Sequence, residues 1–307
     1  MKPPKRSLWS RMKAEKMSYL MLLPNIILFI AFVIYPLAWV LRYMFFEYRG
    51  YGEPVFVGLE NFARVMRDEV FWTSVKNTMA YVFGKLLLTI PFAFLLALLL
   101  QKNTRLNAIA QSVVFTPTIM SQAVMALIFY LLFNTYNGEV NRIFMKLGII
   151  EQNVNWLGVD NAMLTVILIA LWGGVGNYMV YFIAGLTGIP TDVYECAKLD
   201  GANRLQTLFK ITLPLLAPVI KMILMLALVI SFHDMQSIMV LTEGGPMNAT
   251  NVMFLYVYQL FFPVSAGSTV VQEFGYGAAV SLVAAAIVGL FTGLYLILAR
   301  KLDSITE

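Results

Sequence analysis

Long apolar runs alternate with shorter polar stretches along most of this chain. The runs cover residues 17–41, 74–100, 108–133, 162–187, 219–242 and 275–298. Each is long enough to cross a hydrocarbon core, which takes about 20 residues of helix. None shows sustained two-residue alternation, so the pattern predicts membrane-spanning helices rather than a β-barrel. Pro117 predicts a kink in the third run, because a mid-helix proline removes a donor and crowds the preceding turn. Residues 45–78 are less apolar. Within them, FVGLENFARVMRDEVFW places Phe62, Val65, Met66 and Glu69/Val70 at helical spacing, predicting an amphipathic helix near the interface. Residues 134–161 read as a polar outer segment, Glu243-Gly244-Gly245-Pro246 as an outer turn, and 253–262 as a short re-entrant or interfacial helix.

On the Lys/Arg-rich side, the longest polar interruption is residues 194–218, YECAKLDGANRLQTLFKITLPLLAP. It predicts a short helix over 193–199, a tight turn at Asp200-Gly201 and a second short helix over 203–210. Gly201 suits the turn because it takes positive φ without steric cost. Pro214 has no N–H and biases Leu213 away from helix, so the second helix is expected to stop there.

Composition supports the membrane assignment. The chain is 60% hydrophobic and 13% charged, with mean hydropathy +0.75, whereas soluble domains carry about a quarter charged residues. Six spans, all α-helical, place both termini on one side. With the termini inside, 14 Lys/Arg fall on the inner side and 7 on the outer, which favours this orientation and puts the 194–218 loop in the cytoplasm. Residues 1–16 then form a cytoplasmic tail and 17–307 a single transmembrane domain with its core at about 74–300. The run 17–41 is too long for a secretory h-region and lacks a small-x-small site, so it reads as an uncleaved span. The net charge of +5 is no nucleic-acid signal, since the positives sit at span ends. Lys85 is the exception, within the second span.

Glu195, Ala197, Asp200, Gly201, Ala202, Ile211, Leu213 and Pro214 resemble the E-A-A-x-x-D-G-A … x-L-P loop of the membrane subunits of binding-protein-dependent ABC importers. Cys196 replaces the second alanine with another small residue. A second block narrows the resemblance. Gly58, Leu59, Asn61 and Phe62, then Phe71, Trp72, Asn77 and Thr78, are similar to segments that precede the second span in sugar permeases. LTEGGPMNAT, LYVYQLFF and GYGAAVS resemble the later sugar-permease pattern, with Phe261 and Gly277 departing from it and a somewhat long linker between Phe262 and Gly275. The likeness covers most of 56–300 and points to the maltose-permease-like branch of carbohydrate and polyol importers.

Catalytic chemistry finds little support. No G-x-x-x-x-G-K-[ST] occurs; Gly84-Lys85 lies within a span and is followed by Leu86. ATP hydrolysis is therefore not expected in this chain. The single cysteine, Cys196, and the single histidine, His233, provide no metal-ligand cluster, and no metal site is expected. What the spans do hold is polar groups that hydrocarbon makes costly, which ordinarily face a bundle interior or an aqueous path. Ser231 and Asp234 are about one helical turn apart and are expected to share a face. The resemblance maps sugar-contacting positions onto Thr118, Gly173, Gly174, Asn177, Ser231 and Asp234, to which His233 is added as a neighbour. Hydroxyl, amide and carboxylate groups beside glycines suit a polyhydroxylated ligand; the same groups also knit membrane helices together. Lys85 reads as a partner of Asp234, a contact to an anionic sugar, or a cation reaching a wet cavity.

The resemblance implies one of two pore subunits, completed by a second homologous permease. Two ATP-binding subunits would engage the 193–214 loop, with Glu195 as polar anchor, and would carry the ATP and Mg. An extracytoplasmic sugar-binding protein would deliver the ligand, and lipid would surround the spans in a bacterial or archaeal plasma (inner) membrane. Two other readings stay open: an ion-coupled secondary transporter using Asp234, His233 and Lys85 as a relay, and a membrane enzyme acting on lipid-linked sugars, which would need paired acids or a metal site. Transporters of the first kind commonly show internal repeats, and none is visible.

Overall fold

The computed structural model describes residues 16–263 and 270–306, with side chains to residue 300. The expected tail, up to residue 15, and residues 264–269 of the linker lie outside the described residues. Backbone contacts gather into two compact units, Met1–Met66 with Gln272–Leu282, and Arg67–Val271 with Val283–Glu307.

The first unit opens with α1 (Lys16–Phe29), a π turn (Ile30–Ile34) and α2 (Tyr35–Tyr43), which together make one span, Lys16–Tyr43. The π turn has a local cause. Pro36 cannot donate and would crowd the carbonyl four residues back. The ladder widens by one residue instead, and the Tyr35 N–H bonds the Ile30 carbonyl. A two-residue ribbon follows, β1 (Phe46–Glu47) antiparallel to β2 (Val55–Phe56), with Phe46 opposite Phe56. In α3 (Glu60–Arg67), the Asn61 amide donates to the Met44 and Phe46 carbonyls, each at 3.0 Å. Arg64 pairs with Glu273 and lies 4.1 Å from the Tyr276 ring centroid. The amphipathic stretch is thus two helices rather than one. Asp68 stops the first by leaving helical geometry and capping the Val70 and Phe71 N–H groups.

The second unit contains α4 (Glu69–Leu100), α5 (Arg105–Ile119), α6 (Gln122–Leu132), α7 (Glu139–Lys146), α8 (Ala162–Thr187), α9 (Thr191–Leu199), α10 (Arg204–Thr207), a second π turn (Leu208–Thr212), α11 (Leu213–His233), α12 (Gln236–Thr242) and α13 (Met253–Phe261). The last helix, α14 (Phe274–Thr306), begins in the first unit and continues in the second. Ile90, Ala93 and Ala97 of α4, Val175, Met179 and Phe182 of α8, and Leu216, Ile223 and Ala227 of α11 form the buried core. In lipid, apolar burial against apolar chains gains little from water, so close packing and interhelical hydrogen bonds hold such helices together. The alanines of α4 and α11 permit that closeness.

Among the described residues, five helical stretches are long and apolar enough to span a membrane, and α5 with α6, bent by 97° at their junction, make a sixth if the pair is counted as one span. Three expectations change. The third span is broken at Met120 and Ser121, both extended, rather than kinked at Pro117. Pro117 sits inside α5, and its carbonyl accepts the Met120 N–H that closes the last turn. The fifth span does not run to residue 242. It ends at His233, Asp234 takes an extended conformation, and α12 starts afresh two residues later. Pro214 does not stop the short helix before it. Leu213 is helical (φ −63°, ψ −43°), and its N–H bonds the Leu208 carbonyl across the second π turn. This is the same accommodation as at Pro36. Consequently Arg204–His233 is one helical stretch of 30 residues, about 45 Å long at 1.5 Å per residue.

The polar segment after α6 folds around one side chain. Asn141 is buried; its amide donates to the Thr135 and Val154 carbonyls, and its carbonyl oxygen accepts from the Val154 N–H and Trp156 Nε1. The segment that follows the Glu243–Pro246 turn is held by the Asn77 amide, which donates to the Asn248 and Asn251 carbonyls at 2.7 and 3.0 Å.

Candidate functional site

Two features of the second unit stand out, a polar cavity where both broken helices break and an exposed loop at the far end of the long helix. The cavity has a volume of about 160 Å³. Its walls include Lys85 of α4, Thr118, Met120 and Gln122 around the α5–α6 break, Gly173, Gly174, Asn177 and Tyr178 of α8, and Asp234 and Ser237 around the α11–α12 break. Breaking a helix at membrane depth frees backbone polar groups, a cost tolerated only beside protein or a wet cavity. Both interruptions open at this one place.

Lys85 and Asp234 are 5% and 6% exposed. Lys85 Nζ donates to Asp234 Oδ2 at 3.0 Å and to the Tyr81 hydroxyl at 3.2 Å, and it lies 5.2 Å from the Tyr81 ring centroid. Tyr81 also donates to Asp234 Oδ2, while Ser237 Oγ donates to Oδ1 at 2.8 Å. The carboxylate therefore has three partners and the ammonium two. Such pairing is what makes a buried charge tolerable, since an isolated one is costly.

The glycines divide by role. A Cβ on Gly176 would stand 2.5 Å from the Val114 carbonyl oxygen and 2.8 Å from Phe115 Cα, so glycine is what lets α8 cross α5 backbone to backbone. A Cβ on Gly173 would meet only the tip of Met125, at 2.7 Å, and one on Gly174 would make ordinary contacts. Thr118 Oγ1 donates to the Gly173 carbonyl at 3.2 Å.

Six of the expected site residues thus line one cavity: Lys85, Thr118, Gly173, Gly174, Asn177 and Asp234. Two do not. The face expected to join Ser231 to Asp234 is lost because the helix ends between them. Ser231 remains in α11, buried with its hydroxyl unpartnered. Asp234 swings away with extended backbone. His233 is exposed, stacks on Phe254 at 4.7 Å, and has Nδ1 2.8 Å from the Val229 carbonyl oxygen. Neither lines the cavity. Sequence reasoning also passed over Tyr81, Ser237 and Gly176. Tyr81 stands four residues before Lys85 on one helix, and Ser237 three after Asp234, spacings that put side chains within reach.

At the other end, α9 and α10 flank the Asp200-Gly201 turn. Gly201 has φ +76°; its N–H bonds the Lys198 carbonyl, and the Ala202 N–H bonds the Ala197 carbonyl at 3.0 Å. This pair of bonds is a Schellman cap. Asn203 and Gln206 then form a reciprocal capping box at the start of α10. Ala197 is buried, while Glu195, Asp200 and Gly201 are exposed. Pro214 lies in the first turn of α11 and Ala202 is half-buried.

Residues 89–304 match the family described as "Binding-protein-dependent transport system inner membrane component". The chain is 34% identical over 271 residues to the arabinooligosaccharides transport system permease protein AraP of Bacillus subtilis (strain 168), covering 86% of this chain and 82% of the relative. It is 30% identical over 292 residues to the trehalose/maltose transport system permease protein MalF of Thermococcus litoralis, covering 94% and 95%. Among solved structures, a chain of a bacterial alginate ABC transporter, in complex with its alginate pentasaccharide-bound periplasmic protein, superposes with a TM-score of 0.81. The superposition covers 97% of this chain and 98% of that one at 24% identity, a likeness of fold.

Proposed function

The chain belongs to the binding-protein-dependent transport system inner membrane components, and from that premise we propose that it forms half of the translocation path of an ATP-driven carbohydrate importer. The ligand class follows relatives named for arabinooligosaccharides and for trehalose and maltose. A second homologous permease would complete the path, and two ATP-binding subunits, carrying the ATP and Mg, would take up the α9–α10 loop on the cytoplasmic side. An extracytoplasmic sugar-binding protein would deliver the ligand. The ion-coupled alternative loses its ground, because membership of this family accounts for the loop that such a transporter leaves unexplained.

The observation that carries the coupling is the unbroken helix from Arg204 to His233. It joins the exposed loop to the carboxylate on the cavity wall. Displacement of the loop by closing ATPases would move Asp234 without an intervening flexible joint, and alternating access needs such a two-state element. Glu195, Ala197, Asp200, Gly201, Ala202 and Pro214 are the coupling residues in this reading, and Lys85, Thr118, Gly173, Gly174, Asn177 and Asp234 contact the sugar. Ser231 and His233 support the helix end.

A mild-detergent pull-down of the tagged chain tests the assembly. The wild type should bring down a second permease and an ATPase. Glu195→Ala combined with Gly201→Val should lose the ATPase and keep the permease. A chain that purifies alone in both cases would overturn the reading.

A further inference from the structure

We propose that the cavity selects uncharged saccharides and rejects acidic ones, with Asp234 setting that selection by holding the Lys85 ammonium. The inference rests on the reading of this cavity as the saccharide site, and it adds the charge class of the ligand.

A lysine on the wall of a sugar cavity invites an obvious assignment, an anchor for a uronic carboxylate. The geometry argues against it. Nζ is already committed to Asp234 Oδ2 at 3.0 Å and to Tyr81 at 3.2 Å. An acidic ligand approaching Lys85 would also approach the Asp234 carboxylate, and like charges at such range repel. To use the ammonium it would have to displace Asp234, leaving that carboxylate buried without its cation.

The rest of the wall points the same way. Lys85 and Asp234 are the charged groups among the lining residues, and they cancel. No guanidinium is present there to supply the planar fork that suits carboxylate and phosphate. The wall offers hydroxyls from Thr118, Tyr178 and Ser237 and amides from Gln122 and Asn177. The amides and the Tyr178 hydroxyl both donate and accept, as do sugar hydroxyls, while Thr118 and Ser237, which already donate to the Gly173 carbonyl and to Asp234 Oδ1, keep their acceptor capacity. Among the described residues, the Gln122 and Asn177 side chains make no hydrogen bond to protein, which leaves their capacity for a ligand. Fold likeness to an importer of acidic polysaccharide therefore does not carry the charge class with it.

The test uses the assembled importer in lipid nanodiscs without its binding protein, so that the partner's own selection does not intrude. Binding is titrated with neutral oligosaccharides (arabinotriose, maltotriose, trehalose) and with trigalacturonate. The expected result is binding of at least one neutral sugar, with trigalacturonate at least tenfold weaker. Equal or tighter binding of trigalacturonate would overturn the inference and leave the carbohydrate-importer reading standing. An importer that assembles with its ATPase yet binds none of the sugars would remove the saccharide cavity, and the inference with it.

Asp234→Asn frees the ammonium, so trigalacturonate binding should rise at least tenfold over wild type while neutral sugars weaken. Should that variant fail to assemble, Lys85→Met/Asp234→Asn restores electrical balance and gives a second reading. It should keep the preference for neutral sugars. Reversal of that preference in the balanced double variant would overturn the proposal, because no freed cation would remain to explain it.

Discussion

The two ends of the helix Arg204–His233 are built in opposite ways. Near its start, apolar side chains lie open; Leu199, Leu205 and Phe209 are 86%, 66% and 63% exposed, beside the exposed Glu195 and Asp200. At its finish, Asp234 is 6% exposed and has Lys85, Tyr81 and Ser237 as partners. One end leaves apolar side chains exposed, and the other completes its polar contacts within the chain. The difference separates where a force can enter from where it can be used. A loop with unspent apolar surface suits docking. A carboxylate held by three partners has a defined position that a displaced helix end can disturb. Breaking either end should therefore produce distinct failures, and their sizes should differ.

The largest effect belongs to the buried pair. Lys85→Met leaves the Asp234 carboxylate without its cation, and Asp234→Asn leaves the Lys85 ammonium without its anion. Each should destabilise the purified chain by about 3–5 kcal/mol, the usual consequence of stranding one member of a buried ion pair. The double variant Lys85→Met/Asp234→Asn should recover most of that loss, since a neutral replacement strands nothing. Thermal unfolding of all four proteins in nanodiscs gives the double-mutant cycle. Additive single effects would mean that the 3.0 Å contact contributes no coupling, and the contrast between the two ends would fail.

Next in size is the shape of the cavity end. Gly176→Ala drives a methyl into the backbone of α5 and should cost about 1–3 kcal/mol, as overpacking does. Gly174→Ala meets only ordinary contacts and should leave the melting temperature close to wild type. If transport falls in Gly174→Ala while stability holds, the loss reports on cavity space rather than folding. Equal destabilisation by both substitutions would contradict the division of roles among these glycines.

Much of this was legible in the sequence, for a physical reason. Polar groups within hydrocarbon are expensive, so Lys85 and Asp234 announce themselves, whereas Thr118 and Asn177 come from the resemblance to sugar permeases; the structure gathers all four on one cavity. Apolar run length likewise announces the spans. It carries no information about axis direction, however. Within the run 108–133, Ser121 and Gln122 follow Pro117 and Thr118, a polar patch at the break that run length alone passes over, and nothing in it gives the 97° angle. In the fifth run, Asp234 reads as a side chain on a helix face, although it ends the helix, and that misplaced Ser231 and His233. Pro214 was misread because a local rule, that proline ends a helix, yields when the ladder can widen by one residue. Gly176 becomes visible only once α5 lies against it.

A smaller effect is expected at the exposed end. Gly201 has φ +76° with open space around its absent Cβ, so Gly201→Val meets strain in the backbone rather than a clash. Left-handed geometry costs an L-residue about 1–2 kcal/mol, and β-branching adds to that. Because the turn is exposed, the loss should stay local: ATPase binding falls, while the thermal stability of the Lys85–Asp234 end changes little. Loss of ATPase together with a melting temperature as low as that of Lys85→Met would show that the two ends are not structurally separable.

The smallest effect in stability tests what lies between the ends. Pro214→Ala restores an N–H where the π turn formed to avoid its absence. The alanine favours helix, so stability should be unchanged or rise by less than about 1 kcal/mol. The π turn has no further local reason to persist, and closing it to an α-helical ladder would remove one residue's excess from the helix. The loop would then turn by about 100° relative to Asp234, the angle of one residue in a 3.6-residue turn. Neither end is altered chemically, so ATPase capture and sugar binding should both survive while sugar-stimulated hydrolysis drops severalfold. The measurement is ATPase activity with and without loaded binding protein, alongside the pull-down. Full stimulation in Pro214→Ala would mean that the register of the helix between its ends carries no signal. The two ends would then act through some other element, and the rigid connection from Arg204 to His233 would be structural only.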